Sequence, residues 1–578
     1  MNRFISLILL SFCATATLAA QSSEAEFILL QKDYVIHADG SSDLTCRQVV
    51  KYLTHYSFNS LYGETFIVYN PRYQTLKIEE CYTIQDDRTR IEAPFNAFNE
   101  VLPRFAADAP AHNHLREMVV THTGLEIGAT AYLKYTLHTK AGYEPEFDQV
   151  LALQESSPIK EYKVSVSVPN TKTLQYRNHG ITLSPRINRK AEHTQYDWTF
   201  RNLAAYSKEA YQPVDGSNIP RLLLSTWASQ DAALQHLAAL QSRESIALPV
   251  SKATEVYDYI INRVAYTPVP LAHTGYSFRE PSQVFETASG TAIEKAALML
   301  AVAHHQGVPA RLIAVYPTYM NDKSFGSLAA IEGFAVAISI APGSYFLTSM
   351  TEHQPVSLEQ ARPGFLYVSV ERPPQDFFAK TQNQAVFSAN IQLDSQQASL
   401  TGTLSAEGAF YPILSIIDSE NQALGLLSGL RASGMDKLKA ETESLSVELT
   451  AKAAVRENEG YYSLLLPEVR GGANNWNMRN LTSIRQNWLE IPYPVNESYS
   501  YTVKAPQGAA FVSPPLQVQR EYAIGRVSIS YESQNDGSLK ITRQLQFNKT
   551  WIAPLDYARF AELMKIWNTE HYRTVVWK

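Results

Sequence analysis

The run Gly290-Thr-Ala-Ile-Glu-Lys-Ala-Ala-Leu-Met-Leu-Ala-Val-Ala-His-His-Gln-Gly-Val-Pro-Ala-Arg311 constrains this chain more than any other stretch. Ala292, Ala296, Met299, Leu300 and Ala303 recur at threes and fours, so a helix from about Thr291 to Gln306 buries one face. Gly307 can stop that helix in the left-handed conformation, and Val308-Pro309 turns the chain into a strand over Arg311–Tyr316.

This stretch resembles the nucleophile helix of the transglutaminase-like superfamily. In that papain-like fold the pattern is Gly-x-Cys-x-Asp/Glu-Lys-Ala, an apolar helix, then Gly-Ile-Pro-Ala-Arg. The match runs through Gly290, Glu294, Lys295, Ala296, Leu298, Gly307, Pro309, Ala310 and Arg311. The family's nucleophilic cysteine falls on Ala292. A cysteine there would sit at a helix N-terminus, where the macrodipole and free N–H groups favour a thiolate; alanine has no such chemistry. The resemblance also implies a histidine opening the next strand, which falls on Gly333, and an aspartate ending the strand after it, on Thr348. A Cys–His–Asp set attacks an amide, moves the thiol proton and orients the base. Loss of one member costs several powers of ten in rate, so three losses together predict a pseudoenzyme.

Other polar residues near these positions define the alternative, an amidase, protease or acyltransferase with rebuilt chemistry. His273 and Tyr276 precede Arg279 and are candidates for the cleft mouth; Glu332 and His353 are candidates inside it. Helix capping and packing account for Glu294 and Lys295. No His/Cys/Asp/Glu set has metal-ligand spacing, no Gly-rich phosphate loop occurs and Gly-x-Ser-x-Gly is absent, so no metal or cofactor is expected.

At 578 residues the chain exceeds one ordinary core. Its net charge of −6 comes without a basic block, which argues against a nucleic-acid partner. The first twenty residues have the form of a secretory signal: Arg3, an apolar run from Phe4 to Leu18, and small residues for cleavage after Ala19 or Ala20. A retained anchor is the alternative, though the run is short for a spanning helix. Cys13 lacks the small residue before it that a lipid anchor wants, and no later segment has transmembrane character. Export to the periplasm or surface of a bacterium would leave Cys46 and Cys81, both on strand-like segments, to form a disulfide or to stay as separate buried thiols.

The expected fold is multidomain and mainly β, with a central α+β papain-like domain. From residue 24 to about 225 strands alternate with turns, as in a two-sheet sandwich: Tyr162, Val164, Val166 and Val168 take turns with Lys163, Ser165 and Ser167. Leu125-Glu-Ile-Gly128 together with Tyr162-Lys-Val-Ser-Val-Ser-Val-Pro169 resembles the domain-of-unknown-function-3857 module that precedes transglutaminase-like domains in secreted bacterial proteins. Residues 226–371 form the central domain, and Arg372-Pro-Pro opens a linker. A β unit over 385–455 and a C-terminal β domain over 456–578 follow. In the latter, Asn535-Asp536-Gly537 forms a hairpin, and Asp556 caps a last helix carrying Phe560, Leu563, Met564 and Trp567. This ending also resembles the C-terminal β domain of the family. The function expected is binding of an envelope protein, peptide or glycan, or scaffolding, by a secreted non-catalytic protein.

Overall fold

Period-two alternation builds most of the molecule. The computed structural model describes residues 23–214, 216–248, 253–341, 344–350, 356–357, 365–370, 376–377, 383–410, 427–440, 444–478, 484–512 and 515–578; the leader-like segment and His353 lie outside them. The N-terminal domain contains β1 (Ala25–Ile36), β2 (Ser42–Tyr52), β3 (Gln74–Ile84), β4 (Thr130–Thr139), β5 (Ile159–Pro169) and β6 (His193–Leu203). They form one eight-stranded sheet in the order β6-β5-β1-β2-β4-β3, with short edge strands at Arg186–Arg189 and Arg90–Glu92. Tyr162, Val164, Val166 and Val168 all point into the core, as their alternation requires.

Two three-stranded sheets cover one face of this large sheet. Ala131 of β4 packs with Leu151 and Leu222 of one small sheet, and Leu133 packs with Ile67 and Val120 of the other. Residues two apart on a strand share a face, so both small sheets lie on the same side. The expected disulfide does not form. Cys46 pairs across the ladder with Tyr135 and Cys81 with Leu133, so β4 runs between the two cysteine strands. Two strand spacings, about 9–10 Å, exceed the roughly 7 Å that a disulfide spans between Cα atoms. Both thiols are free and buried.

The central domain holds α1 (Gln230–Ala239), α2 (Ala253–Arg263), α3 (Pro281–Thr287) and α4 (Ala292–His305). They pack beside a six-stranded sheet whose middle is β7 (Ala310–Pro317), β8 (Gly333–Ala341), β9 (Ser344–Ser349) and β10 (Phe365–Ser369), in the order β9-β8-β7-β10. Gly307, at φ 68°, ends α4 as its sequence predicts. Asp148 of the N-terminal domain ties the two domains together. Its buried carboxylate accepts from Ser327 Oγ at 2.6 Å, Leu328 N at 2.6 Å and Ala329 N at 3.1 Å. Burial pushes this carboxyl up to about 6 despite those three donors.

The two β units expected beyond residue 385 are one domain. β11 (Gln384–Leu393), β12 (Gln397–Glu407), β13 (Leu430–Ala440) and β14 (Ser444–Ala454) join β15 (Val495–Lys504), β16 (Leu516–Tyr522), β17 (Gly525–Ser533) and β18 (Leu539–Phe547). The sheet order is β13-β14-β12-β11-β15-β18-β17-β16. The boundary at 455 vanishes because β11 leaves an open edge that β15 occupies in parallel, from Gln384 beside Asn496 to Gln392 beside Lys504. One core unites Val447 and Leu449 with Leu563 and Trp567 of the terminal helix α5 (Tyr557–Asn568).

Candidate active site at the start of helix α4

The turn before α4 is built by close approach. Ser289–Gly290 lies parallel to Ala265–Tyr266, and Thr267 N donates to Gly290 O at 2.9 Å. A Cβ on Gly290 would come within 2.9 Å of Val284 Cγ1 and 3.2 Å of Glu294 Cβ, so glycine is required there. Thr291 caps α4 in a reciprocal capping box: its side chain accepts from the Glu294 backbone, and Thr291 N donates to Glu294 Oε2 at 2.8 Å.

Glu294 is 1% exposed and is clamped by Arg279. Its Oε1 accepts from Arg279 N at 3.1 Å and Nε at 3.0 Å, and its Oε2 accepts from Arg279 Nη2 at 3.0 Å. Burial alone would raise this carboxyl; Arg279 and the Thr291 N–H outweigh it and hold it below the usual carboxylate range. The positive end of α4 therefore already faces a fixed anion. Ala292 stands in the first turn, half-buried against the helical core. Its methyl occupies the nucleophile position.

The partner strand corrects one expected position. Phe334, Val336 and Ile338 of β8 share a core with Ala296, Met299 and Ala303 of α4, whereas Ala335 and Ala337 are buried outside that core. Even-numbered positions thus face the helix, and Gly333, where an added Cβ would meet nothing within 4 Å, faces away. Glu332 precedes the strand and is exposed; its N–H donates to Val315 O at 2.9 Å although the ladder pairs Val315 with Gly333, so two residues oppose one there and the alternation of β8 does not extend to Glu332. The ladder pairs Thr348 with Val336, so Thr348 falls on the even-numbered register of β8 and Gly333 does not.

The expected mouth residues have other roles. Tyr276 is buried in the core at φ 57°, well inside the domain. His273 stacks on Phe105 of the N-terminal domain, with ring centroids 5.3 Å apart, and its carbonyl accepts from Tyr143 Oη at 2.7 Å. Gly275 belongs to the same contact: a Cβ there would lie 2.5 Å from Tyr143 O. Ala106, Ala109 and Leu115 pack on Val269, so the N-terminal domain covers the approach beside the Gly290 turn.

That cover carries His112, which sequence reasoning missed because nothing local ties Pro110-Ala-His112 to a site more than one domain away. His112 is 6% exposed, and its Nε2 is buried without a partner among the described residues. Burial pushes its imidazole down, with Glu294 raising it and Arg279 lowering it further. Among the described residues no group of three or more His, Cys, Asp and Glu could hold a metal.

Lys295 is 2% exposed, and burial pushes its amine down to about 8. The folded value lies below the unfolded one, so stability climbs with pH between about 8 and 10.5 as the unfolded chain sheds the extra proton. Lys295→Met removes that penalty. It is expected to gain on the order of 3 kcal/mol at pH 7 and little above pH 10.5, read by urea unfolding at both values.

Three known family models match successive parts of the chain, and the last begins within the single C-terminal sheet. The domain-of-unknown-function-3857 model matches residues 38–207, the transglutaminase-like superfamily model 235–327, and the domain-of-unknown-function-3858 model 461–577. The central match spans Ala292 and stops before Glu332. A crystal structure of a candidate protease from Parabacteroides distasonis is 30% identical, with a TM-score of 0.71 over 96% of this chain and 99% of that one. No curated protein sequence matches significantly.

Proposed function

The chain belongs to the transglutaminase-like superfamily, in the arrangement that sets the 3857 module before the core and the 3858 module after it, and from there we propose a non-catalytic member that binds rather than cleaves. One observation carries the reading: the residue at the nucleophile position is Ala292, in the first turn of α4, whose methyl cannot attack a carbonyl. With no thiol to attack, no acyl-enzyme can form by the family route. The central domain then acts as a hub, locked to its N-terminal neighbour through Asp148 and His273. Binding of an envelope protein, peptide or glycan falls to the flanking β domains. The leader-like first twenty residues support a place in the periplasm or at the cell surface. Among the described residues no helix is long and apolar enough to cross a membrane.

The test is turnover by the intact protein. Glutamine-containing peptides offered with an amine donor, and simple amides, are expected to stay unchanged above the buffer rate. Turnover that survives repurification and disappears in His112→Ala or Glu332→Gln would overturn this reading in favour of a rebuilt enzyme.

A further inference from the structure

The solvent face of the C-terminal sheet is a trough, and its lining is chemically uniform. Along β11, β12, β14 and β15 every second residue is buried in the core, among them Ile391, Leu400, Ala451 and Val503. The alternate residues form rows that cross the strands. Thr450 pairs with Thr401, Thr401 with Asn390, and Asn390 with Thr502. In the next row Lys452 pairs with Ser399, Ser399 with Gln392, and Gln392 with Lys504.

Curvature turns this face into a cavity. The edge strand β13 carries two register shifts against β14, between Ala432 and Gly434 and between Met435 and Lys437, and such bulges bend and twist a sheet. At Gly402 a Cβ would lie 2.6 Å from Ser388 O, so β12 closes on β11 more tightly than any other residue would allow. The resulting space is about 570 Å³ and contains both lysines and no carboxylate. A contiguous space of about 390 Å³ continues it past Asn390, Thr401 and Thr502 toward Glu448.

We propose that this trough binds an anionic glycan, a chain of sugars bearing uronate carboxylates, with Lys452 and Lys504 on the carboxylates and the hydroxyl and amide side chains between them on the sugar hydroxyls. Three arguments select this occupant. Volumes of this size suit a ligand of two to four sugar rings, within the roughly 300–1,000 Å³ of ordinary binding pockets. Lys452 and Lys504 are three strands apart, about 14 Å on a flat sheet, and bracket Ser399 and Gln392. Donor-and-acceptor side chains fit polyhydroxylated rings, whereas an apolar peptide face would find no hydrophobic anchor. Lys504 also sits 3.7 Å from Asp536, an exposed pair at the rim that a ligand carboxylate can displace.

The proposal rests on the non-catalytic binding reading and names its ligand class. The intact protein is titrated with tetragalacturonate, cellotetraose, inorganic phosphate and anionic vesicles by calorimetry, while the same preparation is assayed on glutamine peptides. Tetragalacturonate is expected to bind at least tenfold more tightly than cellotetraose, with affinity falling as salt rises. Lys452→Ala with Lys504→Ala should lose that margin, and Asn390→Ala with Thr401→Val should weaken both sugars while the unfolding midpoint stays put. Absence of tetragalacturonate binding, binding indifferent to these substitutions, or equal binding of phosphate or vesicles would overturn the glycan site. None of these results bears on the peptide assay, so the wider reading fails only if turnover is found.

Discussion

Glu468→Ala is expected to destabilise the C-terminal domain by about 3–5 kcal/mol, the range for removing one partner of a buried ion pair. Glu468 is 1% exposed and sits between two guanidinium groups: Arg543, fully buried, forms an ion pair with one carboxylate oxygen, and Arg573 Nη1 lies 2.6 Å from the other. Asn474 Nδ2 also donates to it at 2.7 Å. Burial and the neighbouring Arg573 already push the Arg543 guanidinium down to about 9. Without Glu468, among the described residues that cation keeps the Trp567 carbonyl at 2.9 Å and the indole ring at 4.4 Å. The loss should appear as an earlier urea transition in tryptophan fluorescence, since Trp567 and Trp577 are both buried in this core. Glu468→Met with Arg543→Met should regain most of it, because Arg573 is 18% exposed and can turn to water. A Glu468→Ala chain as stable as the parent would show that the cluster contributes nothing net.

What the sequence made legible was local. The Gly290–Arg311 unit shows a 3.6 period bounded by a glycine on each side, and both boundaries were found where expected. The three-residue match Glu294-Lys295-Ala296 fixed the register of Ala292 on the helix. The opposite strand gave no such handle. Phe334, Ala335, Val336 and Ala337 are all apolar and all buried, so hydrophobic alternation is silent about which parity faces α4, and the sequence alone could not tell that Gly333 lies on the other face. Long-range pairing was equally invisible. The strand β4 between Cys46 and Cys81, the parallel union of β11 with β15, and His112 beside Glu294 each depend on segments from tens to well over a hundred residues apart. The paired polar rows of the C-terminal sheet follow from the same registers and could not precede them.

The register argument makes the sharpest expectation about the emptied site. Ala292→Cys alone should give a thiol that iodoacetamide alkylates slowly at pH 6.5, because the helix end by itself supplies no base to take the thiol proton and the site is half-buried. Adding Glu332→His puts an imidazole at the mouth of β8, the strand α4 packs on, and the expectation is that it takes the thiol proton and pairs with the thiolate. The thiol should then titrate about two units lower, and iodoacetamide should alkylate it at pH 6.5 roughly tenfold faster or more, even after the lower nucleophilicity of a more acidic thiol. Adding Gly333→His instead should leave the rate unchanged, since that position faces away from α4. Thr348→Asp, in register with Val336, should sharpen only the Glu332→His chain by orienting its imidazole. Alkylation rates measured against pH for the paired variants decide the matter. Equal activation by Gly333→His would refute the parity assigned to β8, and fast alkylation of Ala292→Cys alone that is lost on adding His112→Ala would show that buried His112 already serves as its base.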